Sequence, residues 1–337
     1  MRNSLIICIL IYFIVGCEED PVIYTENDYL PIIYCVFCPE DSIIKVRVGR
    51  SYQGNKSAYQ TAKEPDTAFI FSLNVSLELI SKDNKLLLTR QEIPLKLIQD
   101  RQNGIFYRNP NYCFISKTYI PLSDEFSGVV GTLRLQLFDP GLNRYSIGES
   151  FLLPKPEITG PRNELGKFQA SFYSRDPFEV HYKNIGYPFE LKVVFYYKEI
   201  VVGQSAKIDT ISWNILIPFT INEDLTHWNP RIDGLPIWGD DFFLEISRRI
   251  QVESMVSRQF VGFDIELYMI DPILRKYEEL FESISDIDPG LISNIANGLG
   301  IFACIRKDKV EGLKLDPRSL DSLCGGRFTK NLSFKKW

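Results

Sequence analysis

Thr132 to Phe138 reads TLRLQLF. Leu133, Leu135 and Leu137 fall on one side of an extended chain, Arg134 and Gln136 on the other. Successive side chains of a strand point to opposite faces, so this period of two predicts a strand with one buried face. The same alternation recurs outward from it, in IIKVRV (Ile43–Val48) and LNVSLELI (Leu73–Ile80). Shorter apolar runs cover Ile32–Phe37 and Lys85–Thr89, and the turn-forming clusters PEDS, QGNKS, RQNG and RNPN lie between the runs. Short strands spaced by such turns predict an Ig-like β-sandwich over residues 30–153.

The stretch LLPKPEITGPRNELG (152–166) packs three prolines and two glycines between periodic segments, and predicts an interdomain boundary. Beyond it, KFQASFYS, FELKVVFYYKEIVV, AKIDTISWNILIPF, DDFFLEISRRIQVES and QFVGFDIELYMID all read as strands and carry many aromatic residues. They predict a second β-rich domain over 154–337. One segment breaks the pattern. Ile273, Tyr277, Leu280, Phe281 and Ile284 recur at helical spacing behind Pro272, a residue tolerated at a helix start. A further helical turn is expected at Pro317–Leu323, and NIANGLGIFACI (Asn294–Ile305) reads as a glycine turn into a closing strand, Ile301–Ile305. The fold expected is mainly β: two β-sandwich-like domains with one amphipathic helix and short helical turns near the C-terminus.

At 337 residues the chain is long enough for two domains. Its 45% hydrophobic and 24% charged residues are globular values. The formal net charge is −5, with no basic stripe, which argues against nucleic acid as a partner.

The first residues give an address. Arg2 is followed by an uncharged run from Leu5 to Val15. Eleven residues of helix span about 16 Å, half of a bilayer core, which suits the hydrophobic part of a signal peptide better than a membrane span. Ile14-Val15-Gly16-Cys17 resembles the bacterial lipobox, in which the Cys thiol is acylated and the chain is cut before it. On this reading residues 1–16 are a lipoprotein signal peptide and residues 17–29 an acidic tether. Acyl chains at about 0.8 kcal/mol per buried methylene make a firm outer-membrane anchor. Glu18-Glu19-Asp20 resembles the acidic export signal of surface lipoproteins in the Bacteroidota, and predicts display on the cell exterior.

Enzyme signatures are missing from the sequence. It has two histidines, His181 and His227, and no GxSxG, HExxH, Walker A or GxGxxG followed by a helix. Asp240 and Asp241 beside Trp238 are the candidate carboxylates for glycoside chemistry, but adjacent acids on a strand would face opposite sides. Trp228 and Trp238 could stack on a sugar. Once Cys8 leaves with the signal and Cys17 is acylated, Cys35, Cys38, Cys113, Cys304 and Cys324 remain, with their pairing open. Cys35 and Cys38 have CxxC spacing, but on a strand they lie about 10 Å apart, beyond disulfide reach. Buried thiols, rather than a metal or redox centre, are expected, and no cofactor is implied.

The lipobox, the segment LPIIYCVFCPEDSIIKVRVGRS and the late NIANGLGIFACI with LKLDPRSLDSL resemble a Bacteroidota outer-membrane lipoprotein family of unknown function. Its members are typically encoded beside TonB-dependent receptors. The resemblance implies a surface-exposed, non-enzymatic accessory or ligand-binding partner of such a receptor, with a saccharide or peptide as ligand. It supplies no catalytic residues. The rivals are a surface glycan-active enzyme using paired carboxylates and a structural or adhesion lipoprotein. Ser42, Thr67, Thr210 and Ser322 follow Asp and precede an apolar residue, which resembles the O-glycosylation pattern of exported proteins in that phylum.

Overall fold

The computed structural model describes residues 29–41, 43–51, 70, 72–81, 86–97, 112–117, 131–160, 169–172, 177–183, 189–201, 203, 205–215, 234–283 and 292–336. The fold is mainly β, as the alternating runs predict. Its first strands are β1 (Pro31–Phe37), β2 (Ile43–Arg50), β3 (Asn74–Ser81), β4 (Leu86–Glu92), β5 (Leu95–Leu97), β6 (Tyr112–Lys117), β7 (Gly131–Asp139) and β8 (Arg144–Phe151). There follow β9 (Glu157–Gly160), β10 (Gln169–Ala170), β11 (Phe178–Lys183), β12 (Phe189–Val201), β13 (Lys207–Ile215), β14 (Leu235–Ile237), β15 (Val256–Ile270), β16 (Ile295–Ala296) and β17 (Leu299–Leu315). The described α-helices are α1 (Gly239–Arg249), α2 (Pro272–Ser283) and α3 (Pro317–Gly325), with 3-10 turns at Pro39–Asp41 and Lys330–Leu332.

A nine-stranded sheet runs β13-β12-β15-β17-β1-β2-β6-β5, with β10 also paired to β17. A five-stranded sheet, β16-β8-β7-β3-β4, and a three-stranded one, β14-β11-β9, complete the layers. β17 is the strand that makes the long sheet continuous. Leu299 to Cys304 pair in parallel with Ile32 to Phe37 of β1, and Ile305 to Leu313 pair antiparallel with β15.

Each half of the long sheet buries one face. Ile33, Cys35 and Phe37 of β1 and Ile44, Val46 and Val48 of β2 meet Leu133, Leu135 and Leu137 of β7, so TLRLQLF points its leucines inward as expected. Ile295, Phe302 and Cys304 from the far end of the chain also enter this core. The other core lies under β12 and β15. Leu191, Val193 and Phe195 meet Phe263, Ile265 and Leu267, covered by β11, β14, α1 and α3. The chain passes from one core to the other between Leu152 and Leu153.

One stretch departs from its sequence reading. DDFFLEISRRIQVES, expected as a strand, carries all of α1 but its first residue, Gly239. Phe242, Phe243 and Ile246 are buried at helical spacing. Asp240 and Asp241 occupy the first turn and Arg248 and Arg249 the last, each complementing the helix dipole. Phe242 stacks on Phe172 with ring centroids 4.0 Å apart. Two further corrections are smaller. Among the described residues of KFQASFYS the strand covers only Gln169–Ala170, and the closing strand after Gly300 extends to Leu315 rather than stopping at Ile305.

The remaining helices form where expected. α2 begins at Pro272. α3 begins at Pro317 behind Asp316, whose side chain accepts a hydrogen bond from the Ser319 amide at 2.7 Å. Among the described residues no helix is long and apolar enough to cross a membrane.

Candidate functional site

α2 lies across the outer face of the long sheet, the face turned away from both cores. A buried polar joint fixes its start. Asp271 accepts from the Ile273 amide at 2.9 Å and from the Ser150 hydroxyl at 2.5 Å, and Ser150 accepts from the Cys304 amide at 2.8 Å. Burial pushes the Asp271 carboxyl above its ordinary range, opposed by the hydrogen bonds it accepts from Ser150, Ile273 and Cys304. Leu274, Ile273 and Tyr277 of α2 pack with Ile270, Ile301, Ala303, Ile305 and Val36 of the sheet.

Beside α2 the sheet face opens into a groove of about 460 Å³. That is within the range of small-molecule sites, roughly 300–1,000 Å³. The strand register explains its lining. Cross-strand partners share a face, so Asn214, Lys192, Glu266 and Lys309 form one row over β13, β12, β15 and β17. Glu190, Tyr268 and Lys307 form the next row, and Ile270 and Ile305 the third. The groove takes Asn214, Lys192, Glu190 and Tyr268 from the polar rows and Ile270 and Ile305 from the apolar one. Tyr34 and Val36 of β1 and Leu274 and Glu278 of α2 complete the lining.

Most charges on these rows are compensated. Lys192 lies 3.7 Å from Glu266, and Lys309 lies 2.9 Å from Asp264, 3.6 Å from Glu266 and 3.1 Å from Glu311. Tyr268 donates to Glu266 at 2.6 Å; burial and this bond push its phenol far above the ordinary value. Glu190 differs. It is half-buried and has no direct hydrogen-bond or ion-pair partner among the described residues; burial raises its carboxyl, against the fields of Arg275 and Lys192. Tyr34 is 47% exposed, with its ring 6.4 Å from that of Tyr277, and burial together with Tyr277 and Glu278 raises its phenol.

The residues singled out in the sequence lie elsewhere. Cys17, Glu18, Glu19, Asp20, Ser42, Thr67, His227 and Trp228 fall outside the described residues. Thr210 is exposed on β13, a strand at the end of the long sheet. Ser322 is half-buried on α3 and donates to the Arg318 carbonyl at 3.2 Å. His181 sits on β11, 3.8 Å from Glu179. Trp238 is 49% exposed just before α1, and Asp240, on a helix rather than a strand, pairs with Arg327 at 2.5 Å. Cys35, Cys38, Cys113 and Cys304 are buried free thiols and Cys324 is half-buried and free. Cys38 stands one residue past the end of β1, not within it as the sequence reading had it. Among the described residues no group of three or more His, Cys, Asp or Glu is placed to hold a metal ion.

Sequence reasoning missed the groove. Its one local signal was the alternation in FELKVV, which turns Glu190 and Lys192 away from the core that holds Leu191 and Val193. No protein-family model matches the chain, and no curated protein matches it.

Proposed function

We propose that the chain is a surface-exposed outer-membrane lipoprotein, acylated at Cys17, that serves a TonB-dependent receptor as a non-enzymatic accessory or ligand-binding partner. The observation that carries this reading is the run Ile14-Val15-Gly16-Cys17-Glu18-Glu19-Asp20, an acylation motif joined directly to an acidic export signal. The groove beside α2 supports a ligand-binding role, and exposed Thr210 suits an O-glycan better than Ser322, whose hydroxyl is engaged.

Two substitutions separate anchoring from display. Cys17→Ala should leave unprocessed precursor. Replacing Glu18, Glu19 and Asp20 by Ala should preserve acylation but protect the protein from protease added to intact cells. Equal digestion of wild type and the triple variant would overturn the surface assignment. Affinity purification of the native protein from solubilised outer membranes should recover a TonB-dependent receptor; its absence would favour a structural or adhesion lipoprotein.

A second reading rests on Glu190 and Glu278 lining the same groove, since glycoside hydrolysis needs two carboxylates. Hydrolysis of aryl glycosides by the wild type, lost in Glu190→Gln, would favour that enzyme.

A further inference from the structure

The charge on the groove walls is unevenly neutralised. Arg275 and Lys192 are the cations whose fields reach Glu190, and each is committed to another carboxylate. Arg275 lies 3.8 Å from Glu278 and 3.3 Å from Glu279, and Lys192 lies 3.7 Å from Glu266. Glu190 is left half-buried without a direct counter-charge, at the polar end of a groove whose floor is Val36, Ile270 and Ile305. Above that floor Tyr34 presents a half-exposed ring, close enough to Glu278 for the carboxylate to act on its phenol. A ring face and a carboxylate around an apolar floor suit a cation on an alkyl stem. The stem covers apolar surface, the carboxylate neutralises the charge, and the ring further along the groove packs against the rest of an extended chain.

We propose that this groove binds an organic cation, the ammonium or guanidinium side chain of an extended basic peptide. The stem lies over Ile270 and Ile305, the charge meets Glu190, and Tyr34 packs against the peptide further along the groove. The proposal rests on the reading of the groove as a ligand site and adds the class of ligand.

The test is isothermal titration of the full chain with three probes. One is a blocked glycine–lysine pentapeptide, the second its Nε-acetylated form with the charge removed, and the third a neutral maltooligosaccharide. The lysine peptide should bind, the acetylated peptide should bind at least tenfold more weakly, and affinity should fall as salt rises. Glu190→Gln should weaken the lysine peptide about tenfold, and Tyr34→Ala several-fold, with circular dichroism unchanged in both.

Binding of the saccharide, sensitive to Tyr34→Ala but not to Glu190→Gln, would overturn the cation and leave the groove a ligand site. Equal affinity for the charged and acetylated peptides would do the same. If none of the three probes binds at millimolar concentration, both the cation and the groove reading fail.

Discussion

The guanidinium of Arg306 and the carboxylate of Glu40 meet at 2.7 Å where β17 leaves one core for the other. The Arg306 side chain is 5% exposed, and its second arm donates to the Leu153 carbonyl at 2.7 Å, on the link between the cores. Glu40 also accepts from the Lys307 amide at 3.2 Å and the Cys38 thiol at 3.3 Å. Removing one member of a buried pair strands the other charge, which costs about 3–5 kcal/mol. Glu40→Ala should therefore lower the urea midpoint sharply. Arg306→Met in the same chain should restore much of the loss, because no charge then remains buried. A double variant no more stable than Glu40→Ala alone would show that the pair does not act as a unit.

Two glycines of β17 have positive φ for different reasons, and alanine should tell them apart. At Gly300, φ is +105° and an added Cβ would stand 2.0 Å from the Ile33 carbonyl oxygen, so β1 and β17 could not pair there. At Gly312, φ is +68° and an added Cβ would meet nothing within 4 Å. Gly312→Ala should cost only the left-handed backbone penalty, about 1–2 kcal/mol. Gly300→Ala adds a backbone overlap and should cost clearly more, or yield no folded protein. Equal denaturation midpoints would overturn the assignment of close β1–β17 contact at Gly300.

The strands were legible because burial on one face writes itself into a period of two, as in Leu133, Leu135 and Leu137. α1 was misread because Phe242, Phe243 and Leu244 form a continuous apolar run, which periodicity alone cannot assign. The spacing from Phe242 through Ile246 to Ile250, acids before and arginines after, carried the helical signal. The groove was beyond sequence reading for another reason. Tyr34, Glu190 and Glu278 are far apart in the chain and are brought to one face by the order β12-β15-β17-β1 and by α2.

Asp264 gives the fold an acid-sensitive joint. Burial alone would raise its carboxyl, but hydrogen bonds from Tyr196 at 2.6 Å, the Gly312 amide at 2.7 Å and Lys309 outweigh burial and hold it below the ordinary range. The folded state thus binds this proton less readily than the unfolded chain. Its stabilising contribution is present above the unfolded value, near pH 4, and is lost as pH falls through the folded value. Asp264→Asn should unfold at a lower temperature than wild type at pH 7, and the gap should close as pH drops below about 4. A gap independent of pH would mean that the Asp264 charge is not what stabilises the β15–β17 pairing.

Thiol chemistry reports on β1 directly. Cys35 and Cys304 are fully buried, and Cys38 and Cys113 are 4% exposed. Burial pushes Cys304 up to about 12 and Cys35 higher still, and it raises Cys38 together with the nearby Glu40 and Asp41 charges. The thiolate is the reacting species, so at pH 8 these groups are protected both by access and by protonation. Among the five, half-buried Cys324 on α3 should be alkylated first by iodoacetamide under native conditions, with the others following only as the protein unfolds. Peptide mapping without reductant should recover no Cys35–Cys38 bridge. Cys35 points into the core from mid-strand, and Cys38 lies beyond Phe37, which pairs with Cys304. A bridge between them would require β1 to fold back before Phe37, and the parallel register with β17 could not then reach Cys304.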